Sequence, residues 1–231
     1  MIGVYNYTVI LTYLSLMGAT VGIVATIAVG NPLIGIGILL FCAICDAFDG
    51  KVARSKKDRT QLEKNFGIQI DSLSDVIAFG VLPASIGYAM LRESVFFNKT
   101  VDVFDSAWYC VALRIVLFAI LVVYVLAALV RLAYFNVTEE ERQQTSNDKV
   151  KYYTGLPVTL SSFAFPMVMI LHYLLPIDLT ALYFATALFM AGAFVANVKI
   201  PKPGARGIFT LIGIGVAVLT VLTVLKLAIG Y

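Results

Sequence analysis

The chain has 231 residues, of which 60% are hydrophobic and only 13% charged. Soluble domains carry about a quarter charged residues, so this composition argues against an ordinary soluble enzyme and for a polytopic helical membrane protein. The net charge of +3 is small, and its distribution along the chain is more informative than its size.

Seven apolar runs follow one another, at about 7–29, 33–53, 68–91, 108–135, 156–175, 179–198 and 208–229. Each is long enough to cross a hydrocarbon core of about 30 Å at 1.5 Å rise per residue. Gly30-Asn31-Pro32 closes the first run, and Pro176-Ile177-Asp178 forms a tight turn before the sixth. Strict apolar–polar alternation is missing, so membrane strands are not expected. The expected fold is an all-α membrane bundle of about seven transmembrane helices. It forms one catalytic domain over 1–231 with its signature in 46–75. No cleavable leader is expected, because residues 1–5 lack a basic residue and the first run is too long for a leader's apolar core.

The basic residues orient this bundle. Lys51, Arg54, Lys56, Lys57, Arg59 and Lys64 lie between runs two and three. Arg131, Arg142, Lys149 and Lys151 lie around the link between runs four and five, and Lys199, Lys202 and Arg206 between runs six and seven. Only Arg92, Lys99, Arg114 and Lys226 fall toward the other side. By the positive-inside rule the N-terminus and the three basic loops face the cytoplasm, with the plasma membrane as the expected location. Lys56, Lys57 and Arg59 are read first as anchors of that kind. The polar stretch 139–151 is read as a solvated connector.

Cys42, Cys45 and Cys110 show no metal-ligand spacing and are read as packing residues, as is His172 among Met, Ile and Leu. The aspartates are different. Asp46 and Asp49 share one face of the second run, with Gly50 and Ala53 continuing it. Gly67, Asp71 and Asp75 recur every four residues as a stripe on the third. Ionisable residues in a membrane span mark a functional site by default. Four facing carboxylates repel one another unless cations intervene. Oxygen-only ligands favour Mg²⁺ or Mn²⁺, two ions balancing four charges, with Ca²⁺ as a further hard-cation option. Small residues beside them allow a bulky group close to the backbone.

The pattern D-x2-D-G-x2-A-R-x12-G-x3-D-x3-D, from Asp46 to Asp75, resembles the signature of the CDP-alcohol phosphotransferases, membrane enzymes of phospholipid headgroup synthesis. All eight fixed positions are present: Asp46, Asp49, Gly50, Ala53, Arg54, Gly67, Asp71 and Asp75. The family usually has about eight residues where this chain has twelve. AFGVLPA (78–84), RLAYFNV (131–137) and GLP (155–157) are similar to stretches of the family's phosphatidylserine synthases, with Tyr134 in place of the usual second Arg.

The resemblance implies two metal ions held by Asp46, Asp49, Asp71 and Asp75, bridged by the diphosphate of CDP-diacylglycerol. It implies a nucleotide site of Thr12, Asp49, Gly50, Ala53, Arg54, Gly67 and Asp71. Asp75 is the expected general base toward L-serine, and Arg131 and Asn136 are expected to hold the acceptor or a phosphate. CDP-diacylglycerol and L-serine are the expected substrates, within membrane lipids, and a homodimer is expected. No nucleic-acid partner is expected. The same transfer to glycerol 3-phosphate or inositol phosphate, or from an archaeal ether-lipid donor to serine, is the nearest alternative. A divalent-cation transporter is a more distant one.

Overall fold

The computed structural model describes residues 3–94, 97, 107–145, 152–175 and 177–201, together with 213, 217, 220 and 224. The last apolar run, 208–229, lies outside the described residues except at those four positions. Four helical stretches are long and apolar enough to cross a membrane: Tyr7–Val29, Pro32–Ser55, Gln61–Glu93 and Val111–Glu141. Two shorter apolar ones, Val158–Leu174 and Thr180–Val195, correspond to the fifth and sixth runs.

Helix α1 spans Ile10–Val29 and α2 spans Pro32–Ser55. The corner between them is built by three residues. Gly30 takes the left-handed conformation at φ 77° and donates its N–H to the Thr26 carbonyl at 2.9 Å. Asn31 then caps α2 by accepting from the Leu33 amide at 2.9 Å, and Pro32 occupies the first turn, where no amide is needed. The two helices run antiparallel in close contact. A Cβ on Gly18 would meet Phe41, one on Gly22 would meet Ile38, and one on Gly35 would meet Thr26.

Helix α3 spans Gln61–Asp75, beginning seven residues before the apolar run at 68. Thr60 and Glu63 form a reciprocal capping box, which lets a polar first turn hold. A single π-helical turn, Val76–Val81, follows α3 and leads into α4, Leu82–Glu93. Pro83 accounts for the break. In a regular helix the Phe79 carbonyl would receive the amide of residue 83, but proline has none and its ring crowds that carbonyl. The buried Tyr124 hydroxyl donates to the Phe79 carbonyl instead, at 2.5 Å. Tyr183 donates to the Pro83 carbonyl at 2.7 Å.

Helix α5 runs from Ala107 to Thr145, 39 residues or about 58 Å. It therefore continues through much of the polar stretch read as a connector. Glu, Arg and Gln there are good helix formers, and no Gly or Pro interrupts them. Helices α6, Ser161–Leu174, and α7, Thr180–Val195, complete the described bundle. The core gathers Tyr124, Phe165 and Tyr183. Phe165 stacks on Tyr183 at 4.6 Å and meets Tyr124 edge-on at 5.4 Å.

Two three-residue strands pair beside the helices, and the fold class remains all-α. β1, Tyr152–Thr154, pairs antiparallel with β2, Lys199–Pro201. Gly155 follows β1 at φ 77°, donating to the Val198 carbonyl at 2.9 Å. A Cβ there would stand 2.6 Å from the Phe194 carbonyl oxygen, so only glycine fits.

His172 behaves as a packing residue, its Nδ1 accepting from the Leu179 amide at 3.1 Å. Cys42 and Cys45 are buried free thiols, whereas the Cys110 side chain lies outside the described residues.

Candidate active site

Asp46 and Asp49 lie on the last turns of α2, and Asp71 and Asp75 on the last two turns of α3. Carboxylate oxygens of Asp46, Asp49 and Asp71 all come within 4.8 Å of one another, and the three residues are half-buried. At that spacing and an effective dielectric near 20, each pair of unit charges repels by about 3.5 kcal/mol. Ligand oxygens this close, with no nitrogen or sulfur among them, are what a hard divalent cation requires. The residues present fit Mg²⁺ or Mn²⁺.

Asp75 stands one turn beyond that trio and is 9% exposed. It adjoins the π-turn on its C-terminal side. The charges acting on it are the other three aspartates and the guanidinium of Arg131. Arg131 is itself buried on α5, with its guanidinium 5.1 Å from the centroid of the Phe135 ring. One turn further on, the Asn136 amide donates to the Ser72 hydroxyl at 2.8 Å. Ser72 is the neighbour of Asp71, so α5 is tied to the carboxylate helix at the site. Thr12 is buried on α1, and its carbonyl accepts from the Ser74 hydroxyl at 3.3 Å, next to Asp75. Residues expected from four separate stretches of sequence thus meet around one end of α3.

The small residues flank the carboxylates one turn away. Side chains of this chain occupy the space above them. A Cβ on Gly50 would lie 3.1 Å from Nη1 of Arg54, and one on Gly67 would lie 2.7 Å from Nη2 of Arg59. Arg59 also donates through Nη1 to the Ala53 carbonyl at 3.5 Å and through Nη2 to the Glu63 carbonyl at 3.2 Å. Its inward placement differs from the membrane-anchor reading, whereas Lys57 is exposed. Lys56 also turns toward the hairpin. Its ammonium pairs with Glu63 at 2.5 Å, and the same carboxylate oxygen accepts from Asn6 at 2.7 Å.

Ser72, Ser74, Asn6 and Glu63 carry site-shaping contacts that the sequence reading did not single out. The Thr60-x-x-Glu63 box was the one available signal for the hairpin. Nothing local marks the two serines.

The CDP-alcohol phosphatidyltransferase family model matches residues 5–222. The chain is 38% identical over 114 residues to the CDP-diacylglycerol–serine O-phosphatidyltransferase of Saccharomyces cerevisiae, covering 49% of this chain and 33% of that protein. It is 26% identical over 162 residues to the Helicobacter pylori protein of the same name, covering 69% and 56%. It is 33% identical over 131 residues to the archaetidylserine synthase of Methanothermobacter thermautotrophicus, covering 54% and 44%. The matches thus span between a third and just over half of these relatives' lengths. Because the family match extends over nearly all of the sequence and includes the carboxylate cluster, the chain belongs to the CDP-alcohol phosphatidyltransferase family.

Proposed function

We propose that the protein transfers the phosphatidyl group of CDP-diacylglycerol to the hydroxyl of L-serine, giving phosphatidylserine and CMP. The observation that carries this reading is the convergence of Asp46, Asp49 and Asp71 within 4.8 Å, in a family that acts on CDP-alcohols. The choice of serine is supported by the names of the relatives.

Asp46, Asp49 and Asp71, with Asp75 completing the expected set, would hold Mg²⁺ or Mn²⁺. Such ions, two in this reading, supply positive charge against the diphosphate and the departing CMP. Gly50, Ala53 and Gly67 floor the nucleotide, and Thr12 and Arg54 border it. The serine hydroxyl oxygen forms a bond to the β-phosphorus as the bond from that phosphorus to the bridging oxygen breaks. The bridging oxygen leaves with CMP. Asp75 accepts the hydroxyl proton, its burial beside Arg131 keeping water away from the carboxylate. Arg131 and Asn136 orient the serine carboxylate or a substrate phosphate.

The whole of 1–231 acts as one catalytic domain in this reading. The site faces the cytoplasm of a cell whose plasma membrane the chain crosses, which is supported by thirteen of the seventeen Lys and Arg residues falling on that side. A homodimer is included on the family resemblance alone. The similarity to an archaetidylserine synthase favours one second reading, the same transfer from an ether-lipid donor.

The deciding experiment is an acceptor and donor screen of the purified protein with Mg²⁺ or Mn²⁺. CMP release from CDP-diacylglycerol is expected with L-serine and not with glycerol 3-phosphate. The opposite preference overturns the choice of serine, and turnover of CDP-archaeol alone moves the donor to the ether lipid.

A further inference from the structure

Ala53 lies four residues beyond Asp49 on α2, and Gly67 lies four residues before Asp71 on α3. Both are thus displaced by about 6 Å along their helices from the carboxylates, toward the hairpin. Arg59 covers this far end. Its guanidinium reaches both helices, bonding the carbonyls of Ala53 and Glu63 and filling the space beside Gly67. Arg54 and Lys57 are exposed, but Arg59 is half-buried. Its Nε is buried and has no hydrogen-bond partner among the described residues.

The hairpin holds Arg59 there. Glu63 accepts from Lys56, Asn6 and the Thr60 amide, so both flanks of the arginine and the N-terminal segment are joined to one carboxylate. An arginine serving only as a membrane anchor needs no such mount and would not bury its Nε.

We propose that Arg59 reads the cytosine base of the donor; this rests on the transferase reading above. With the diphosphate at the carboxylates, the nucleoside extends over the small residues to the end that Arg59 covers. A guanidinium is a rigid fork of N–H donors without acceptors. Cytosine offers two adjacent acceptors, N3 and O2, which match such a fork. Uracil carries a hydrogen on N3 and opposes a donor with a donor. Arg59 therefore selects cytidine over uridine donors while leaving the reacting phosphorus untouched.

The test uses the full-length protein in detergent with Mn²⁺, following formation of the phosphatidyl product with CMP or UMP as competing inhibitor. The wild-type protein is expected to be inhibited at least about tenfold more strongly by CMP. Arg59→Ala should raise KM for CDP-diacylglycerol by about tenfold, leave kcat within about threefold, and bring the two inhibitors within about twofold of each other. Arg59→Lys keeps a charge to brace the hairpin but lacks the fork, so it should lose the same preference. Unchanged CMP selectivity in either variant overturns the proposal, as does a wild-type protein that does not distinguish the inhibitors. If the wild-type protein releases no CMP with any acceptor, the transferase reading falls and this one with it. If it turns over normally and Arg59→Ala does too, only the role of Arg59 falls.

Discussion

Tyr124 and Pro83 should be energetically coupled. The Tyr124 hydroxyl supplies, at 2.5 Å, the hydrogen bond that the amide of residue 83 would give Phe79 in a regular helix. Tyr124→Phe removes that hydrogen bond from the buried carbonyl, at a cost of about 1–3 kcal/mol. Pro83→Ala restores an amide at the position from which the carbonyl can be served. The cost of losing the hydroxyl should then shrink by about 1 kcal/mol or more, well above the few tenths expected for independent sites. Denaturant titrations of the four proteins in detergent complete the cycle. The same four should be assayed for CMP release, because the turn begins immediately after Asp75. Tyr124→Phe should lower kcat more than it changes KM, since the proposed substrate-binding groups are untouched while Asp75, the proposed base, loses its support. A Tyr124→Phe cost that is equal in both backgrounds, or a coupling below about 0.5 kcal/mol, would refute the idea that proline creates the vacancy the tyrosine fills.

Asp71→Asn should abolish CMP release and weaken Mn²⁺ binding, read by the electron paramagnetic signal of the free ion, while the protein stays folded in the membrane. Gly155→Ala should destabilise the protein by at least about 1 kcal/mol, from backbone strain alone. Thermal unfolding would show it, because the added methyl also meets the Phe194 carbonyl. Glu63→Gln removes the partner of Lys56; KM for CDP-diacylglycerol should rise with little change in kcat, and steady-state kinetics separates the two.

The carboxylate stripes were legible because helical spacing converts directly into shared faces. Asp46 with Asp49, and Gly67 with Asp71, needed only the 3.6-residue period. Arg131 and Asn136 also arrived where a motif placed them. What stayed hidden depends on contacts between distant segments. Pro83 in an apolar run announces a disturbed helix, but only the fold shows two tyrosines, 41 and 100 residues away in sequence, repairing it. Arg59 sat in a cluster of basic residues whose summed charge explained them all equally well, so its inward turn had no separate signal. The long reach of α5 was missed for another reason: hydropathy ends near Phe135, but helix propensity does not. Glu139, Glu140, Glu141 and Arg142 continue the helix without any apolar face to announce it.

The Gly30-Asn31-Pro32 corner also bears on biogenesis. A corner this short allows α1 and α2 to enter the bilayer together as a preformed pair, with their interlocking small residues already in register. In the proposed orientation both ends of the pair lie on the cytoplasmic side, and Asp46 and Asp49 stay near the entry face throughout. No carboxylate has to be carried across the hydrocarbon, a passage that costs about 3 kcal/mol for each aspartate at a helix centre. In that orientation the first half of the candidate metal site is placed at synthesis without passing the membrane's main barrier to charge, and it waits at the surface for Asp71 to arrive on α3.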